Sequence, residues 1–128
     1  MGNGTEIGKV RGLGSAHHGS HHWLLQRFTA IGNLVLMIFL ATTFALLPAY
    51  DFASVSSWLA KPLPATALAL LVVSVFWHAR LGLQVLAEDY VHTPGNKFAV
   101  LALLNIATIG GGAFALFCIV RLAIGGAA

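Results

Sequence analysis

The sequence predicts an all-α integral membrane protein with three transmembrane helices, and three observations carry that reading. The 128 residues are 58% hydrophobic and only 9% charged, and the mean hydropathy is +0.84, far outside the range of ordinary water-soluble domains. The apolar residues gather in three runs, at about 28–48, 64–88 and 98–120, each long enough to cross a hydrocarbon core of roughly 30 Å as a helix. Between the runs stand turn formers and aromatics of the kind that favour a membrane interface.

Residues 1–26 read as a polar, Gly-rich surface segment without helical periodicity, containing the cluster HHGSHH at 17–22. They lack the short apolar core and small-residue cleavage site of a secretory signal, so no processing is expected. A three-helix anchor domain follows over 27–122, with a short tail over 123–128. Pro48 and Asp51 end the first run, and the linker YDFASVSSWLAKPLP places Tyr50 and Trp58 at the interface. The Pro-Gly pair in HTPGN predicts a tight turn before the third run. That run, LALLNIATIGGGAFALFCIV, spaces small residues for close helix packing, Ala107 with Gly111 and Gly110 near Phe114.

A formal charge of +3 without a basic face interleaved with aromatics speaks for membrane orientation and against nucleic-acid binding. Lys9, Arg11, Arg27 and Lys97 fall on one side of the three spans, against Lys61 and Arg121 on the other. The positive-inside rule then puts the N-terminus in the cytoplasm and the C-terminus outside. Cys118 is the single cysteine, which excludes an intrachain disulfide or a cysteine metal cage. The histidines of HHGSHH are compatible with weak zinc or copper binding on a surface segment.

The second run carries the chemistry, in HARLGLQVLAEDYVH from His78 to His92. At about 100° per residue, His78, Gly82 and Asp89 fall within about 40° of one another, with His78 about 16 Å below Asp89. An imidazole at that depth needs a partner for each ring nitrogen. Two readings stay open: a hydrogen bond to a neighbouring helix, or coordination of haem iron over the bare surface of Gly82. Asp89 and Tyr90, at the helix end, read either as interfacial anchors or as a hydrogen-bonding and proton-relaying pair for a quinone. Arg80 stands about 200° from His78 and, with Gln84 and Glu88, forms a second polar stripe. A guanidinium in a span costs about 2.5 to 3.5 kcal/mol, so Arg80 is expected to find an acceptor on the first or third span or on a neighbouring protein chain, snorkelling to the surface being the alternative.

The combination of His78, Gly82, Asp89, Tyr90 and Val91, with RFTAI (Arg27 to Ile31) on the first span, resembles the small hydrophobic membrane anchor of succinate dehydrogenase, respiratory complex II. The likeness covers nearly the whole chain, and the leading GLGSAHHGSHHWLLQRFTAI resembles the alphaproteobacterial branch. The resemblance implies an inner-membrane electron-transfer anchor that helps bind haem b and ubiquinone, together with a companion membrane anchor, an iron–sulfur subunit and a flavoprotein subunit. It implies His78 as one axial haem ligand, Tyr90 and Asp89 at the ubiquinone site, and Arg27 and His21 near the haem propionates. Independently of the family, a six-coordinate haem needs two axial ligands and the chain offers one deep histidine, so a second chain or copy must supply the other. The competing classes are a small proton-coupled transporter, with His78 and Arg80 lining its path, and a structural anchor without haem.

Overall fold

The computed structural model describes residues 19–125, which form four helices: α1 (Gly19–Ala45), α2 (Phe52–Leu59), α3 (Pro62–Tyr90) and α4 (Pro94–Ala123). α1, α3 and α4 are each long and apolar enough to cross a membrane. Among the described residues the chain is all-helical, as its composition requires: in lipid a helix satisfies its backbone hydrogen bonds within itself.

The central helix is α3. It packs against α1 on one side and α4 on the other, while α1 and α4 do not approach each other closely. Most large apolar side chains point outward, among them Phe28, Ile31, Leu34, Phe98, Ile106 and Phe117, as expected where lipid tails replace water. The small buried cluster lies at one end, where Leu40 of α1, Trp58 and Leu59 of α2 and Ala67 of α3 meet, with Leu122 of α4 packed beside them. The opposite end carries the start of α1, the end of α3 and the start of α4.

The helix boundaries follow local chemistry. Pro62 and Pro94 each occupy the first turn of their helix, where the missing N–H would have had no intrahelical acceptor. The Pro-Gly pair of HTPGN therefore opens α4, and the turn itself is confined to 91–93. α4 closes with Gly125 at φ 78°, the left-handed conformation that a residue without Cβ adopts readily.

Two elements differ from the sequence reading. α1 begins at Gly19, so His21, His22 and Gln26 are helical; residues 1–18 and 126–128 lie outside the described residues. The first linker holds α2, whose N-cap Asp51 accepts from the Ser54 amide at 3.2 Å. That bond satisfies one of the four free N–H groups at the helix start and holds the Asp51 carboxyl below its ordinary pKa. Trp58 and Leu59 are buried by α2, which turns the expected interfacial tryptophan into a packing residue. The small residues of α4 act as expected but at shifted positions. A Cβ on Gly111 or Gly112 would meet the Phe76 ring of α3 at 2.9 and 3.5 Å respectively, whereas nothing lies within 4 Å of Gly110.

Candidate functional site

His78 sits in the middle third of α3, half-buried against α1. Its Nδ1 is 3.0 Å from Thr29 Oγ1. The Thr29 hydroxyl itself points back along α1, 2.8 Å from the Leu25 carbonyl and 3.1 Å from that of Gln26. A hydroxyl has one proton; with that proton donated to these carbonyls, Thr29 Oγ1 accepts from His78 Nδ1–H. Nδ1 is thereby fixed as a donor, and in the neutral ring Nε2 carries the lone pair.

That lone pair faces the side-chain amide of Gln26, 3.5 Å away. A Cβ added at Gly82, one turn along α3, would stand 3.4 Å from the same amide nitrogen. The Gln26 Oε1 is buried without a hydrogen-bond partner among the described residues, an arrangement that costs free energy unless a donor arrives. Gln26, Gly82, His22, Trp23 and Val85 line a groove of about 340 Å³. The seam continues toward the other end: Ser74 Oγ donates to the Thr29 carbonyl at 3.3 Å, and Gly32 lets the helices close there, with Ser74 Oγ 3.8 Å from where its Cβ would stand. One polar ladder of Ser74, Thr29, His78 and Gln26 thus binds α1 to α3. Its chemistry is that of an imidazole oriented by Thr29 and facing the Gln26 amide, with the oxygen of that amide still lacking a donor.

Asp89 and Tyr90 close α3, both exposed. Tyr90 borders an apolar groove of about 390 Å³ with Leu83, Leu86, Ala87, Val91, Val100 and Leu104. Eleven residues of helix separate His78 from Asp89, about 16 Å, so the histidine and the acid–phenol pair form two sites on one helix. Arg27 lies on another flank of α1, its guanidinium 5.1 Å from the Trp23 ring, in a groove with Leu24, Phe28 and Ile31. His21 is exposed in the first turn of α1. Within this chain neither is brought against His78. Two histidines of HHGSHH, at 17 and 18, lie outside the described residues, and among the described ones no three His, Cys, Asp or Glu side chains converge on a metal position.

Arg80 occupies the opposite flank of α3. Its Nε donates to Asn105 Oδ1 of α4, the expected acceptor on the third span, and its guanidinium lies 5.6 Å from the Trp77 ring. The Asn105 amide is held in turn by donating to the Leu101 carbonyl at 2.8 Å. Gln84 extends the stripe, donating to Glu88 at 2.9 Å. Thr29, Gln26 and Asn105 are the site residues that sequence reading passes over. Thr29 stands inside RFTAI, nearly one helical turn after Gln26, and Asn105 is the one carboxamide in an otherwise apolar run.

Comparison with known proteins agrees with this layout. Residues 1–112 match the family described as succinate dehydrogenase/fumarate reductase transmembrane subunit. A succinate dehydrogenase hydrophobic membrane anchor subunit of Rickettsia conorii is 38% identical over 117 residues, covering 88% of this chain and 93% of its own. That of Rickettsia bellii is 42% identical over 88 residues, 68% of this chain and 70% of its own. A succinate dehydrogenase membrane anchor subunit of Reclinomonas americana is 30% identical over 94 residues, 71% and 78% of the two chains.

Proposed function

Because the chain belongs to the succinate dehydrogenase/fumarate reductase transmembrane-subunit family, we propose that it is the small hydrophobic membrane anchor of a bacterial succinate:ubiquinone oxidoreductase. It sits in the inner membrane with its N-terminus cytoplasmic and its C-terminus periplasmic. There it joins the companion membrane anchor, attaches the iron–sulfur and flavoprotein subunits, and helps pass electrons from succinate to the quinone pool. Alone it catalyses nothing; in the complex it completes the quinone site.

The observation that supports a haem role is the Thr29–His78 hydrogen bond, 3.0 Å at Nδ1. A metal-binding histidine is oriented by the bond its other nitrogen makes; here Thr29 holds Nδ1, and Nε2, which faces the Gln26 amide at 3.5 Å, becomes the electron-pair donor once that amide turns aside. The Gln26 amide now covers Gly82, and turned away from it would open that flank to a flat prosthetic group. His78 would be one axial ligand of haem b, which when bound supplies a one-electron reservoir beside the quinone. The companion anchor would hold the group from its other side. Arg27 and His21, on α1 at the same end, meet the propionates only in the assembled complex. At the end of α3, the Tyr90 phenol donates to a quinone carbonyl, the apolar groove beside it takes part of the quinone, and Asp89 exchanges protons with water as the quinone is reduced.

The visible spectrum of the purified complex, oxidised and dithionite-reduced, tests the haem assignment: His78→Ala removes or shifts the low-spin b-type bands. Unchanged bands in a fully assembled His78→Ala complex overturn it. For the quinone role, Tyr90→Phe deletes one hydroxyl from an exposed ring and leaves helix packing alone. Losing a hydrogen bond of about 1 to 3 kcal/mol lowers quinone reduction by roughly ten-fold or more at low quinone. Succinate oxidation with an acceptor that takes electrons upstream is spared, and equal loss of both activities refutes the assignment.

A further inference from the structure

We propose that the α3–α4 groove beside Arg80 is a docking surface for a transmembrane helix of a different protein chain, one that carries a carboxylate at the depth of Arg80. The proposal does not depend on haem; it starts from the hydrogen-bonding capacity of one guanidinium. Arg80 has five N–H donors, of which the structure pairs one, at Nε, with Asn105. Trp77 offers its ring face at 5.6 Å, and neither terminal amino group has an acceptor among the described residues. The side chain is half-buried and stands four residues from the midpoint of the 29-residue α3, about 6 Å along the axis.

Depth decides what the missing acceptor is. About 9 Å of axis separate Arg80 from the nearer edge of a roughly 30 Å hydrocarbon core centred on α3, and the side chain is turned toward Trp77 and Asn105 instead of that edge. The bond to Asn105 also directs the guanidinium sideways toward α4 and away from the headgroup layer. Lipid tails offer no acceptor, and an intramembrane cation is stabilised by pairing within protein. The acceptor therefore comes from another helix at the same level. This chain cannot supply it through a second copy, because its four acids are Glu6, Asp51, Glu88 and Asp89, none within the middle of a span.

The surface next to Arg80 is shaped for a helix. A groove of about 330 Å³ runs past Arg80 between Val73, Trp77, Ile109 and Gly112. A carboxylate brought along that groove meets both terminal amino groups in a paired geometry. The partner faces the flank of α3 opposite His78, so it is not the helix that would share His78's side of the chain.

The test places a photo-crosslinking benzophenone amino acid at Ile109 in the complete complex, in native membranes. The expected product joins Ile109 to a transmembrane segment of another protein of that complex, with an Asp or Glu within one turn of the linked residue. Arg80→Gln is expected to speed dissociation of the purified complex roughly ten-fold, the scale of one lost charge-assisted hydrogen bond. Exchanging the two charges, Arg80→Glu with the identified acid changed to Arg, restores assembly that Arg80→Glu alone abolishes. Crosslinks only to lipid, to a second copy of this chain, or to a helix without an acid near the linked residue overturn the proposal. So does an Arg80→Gln complex that dissociates as slowly as its parent.

Discussion

Toward α1, the central helix presents Ser74, His78 and Gly82 and is met by a ladder of hydrogen bonds; toward α4, it presents Phe76, Trp77 and Arg80 and is met mainly by the glycines of α4. Both contacts are close, and both use glycine, but for different ends. Gly32 and Gly82 make room for polar groups, a serine hydroxyl and a glutamine amide. Gly111 and Gly112 make room for an aromatic ring. In lipid there is no hydrophobic drive between helices, so association rests on dispersion contacts and on hydrogen bonds. Toward α1 hydrogen bonds prevail and hold the His78 imidazole, whereas toward α4 ring-on-glycine packing prevails, joined by the single bond from Arg80 to Asn105.

The largest expected effect breaks the steric face. Gly111→Ala puts a methyl 2.9 Å from Phe76 Cε1 and 3.3 Å from Cζ, so the ring has to shift. Overpacking of this kind costs about 1 to 3 kcal/mol, read as a lower melting temperature of the complex. Gly110→Ala, with nothing within 4 Å, is the matched change without the collision and leaves the melt unchanged. Phe76→Leu added to Gly111→Ala recovers part of the loss if the ring is the obstacle.

A smaller effect on stability, with a different signature, sharpens the other face. Thr29→Val keeps the branched shape and removes the oxygen that accepts from His78 Nδ1–H. The net loss of one such bond is about 1 kcal/mol, so melting moves less than for Gly111→Ala. The ring loses its orientation, however, and under the proposed haem ligation the electron-paramagnetic-resonance g values and the midpoint potential of the haem shift, while Thr29→Ser restores both. Spectra indifferent to Thr29→Val but altered by Gly111→Ala would reverse the division of labour between the faces.

How much of this is legible in the sequence follows from the same contrast. Three apolar runs without competing signals give the spans, and a histidine eleven residues before an Asp-Tyr pair points to the site proposed on α3. The partners are harder to see. Hydropathy treats Thr29, Ser74 and Asn105 as mildly polar interruptions, and their roles depend on which helix lies opposite, a tertiary fact with no local trace. The start of α1 is hidden by Gly19, Ser20, His21 and His22, weak helix formers that are nevertheless helical; His22 there shares a groove with Gly82 of α3. Arg80 is the reverse case: the cost of a cation in a span demands a protein acceptor, and Asn105 is there. α2 escapes the sequence reading because eight residues among serines and flanking prolines resemble a linker, although Asp51 three residues before Ser54 is an N-cap pattern.

That cap yields the smallest expected effect and tests the end of the molecule remote from the histidine. The bonds from Ser54, side chain and amide, lower the Asp51 pKa from its ordinary 3.8, so the folded chain favours the carboxylate more than the unfolded chain does. With a depressed folded value the cap's contribution is complete above the unfolded pKa and fades as pH falls through the folded one, a window below about pH 4. Asp51 is fully exposed, and water screens the interaction, so global melting hardly moves. Amide hydrogen exchange over α2 is the sensitive measurement: protection at Ser54 and Val55, corrected for intrinsic rates, declines from pH 5 to pH 3. Asp51→Asn keeps an acceptor at the cap without a titrating group, so its protection is nearly flat across that range, whereas Asp51→Ala is weakly protected at both ends. A decline of the same size in Asp51→Asn would assign the pH dependence to some other group.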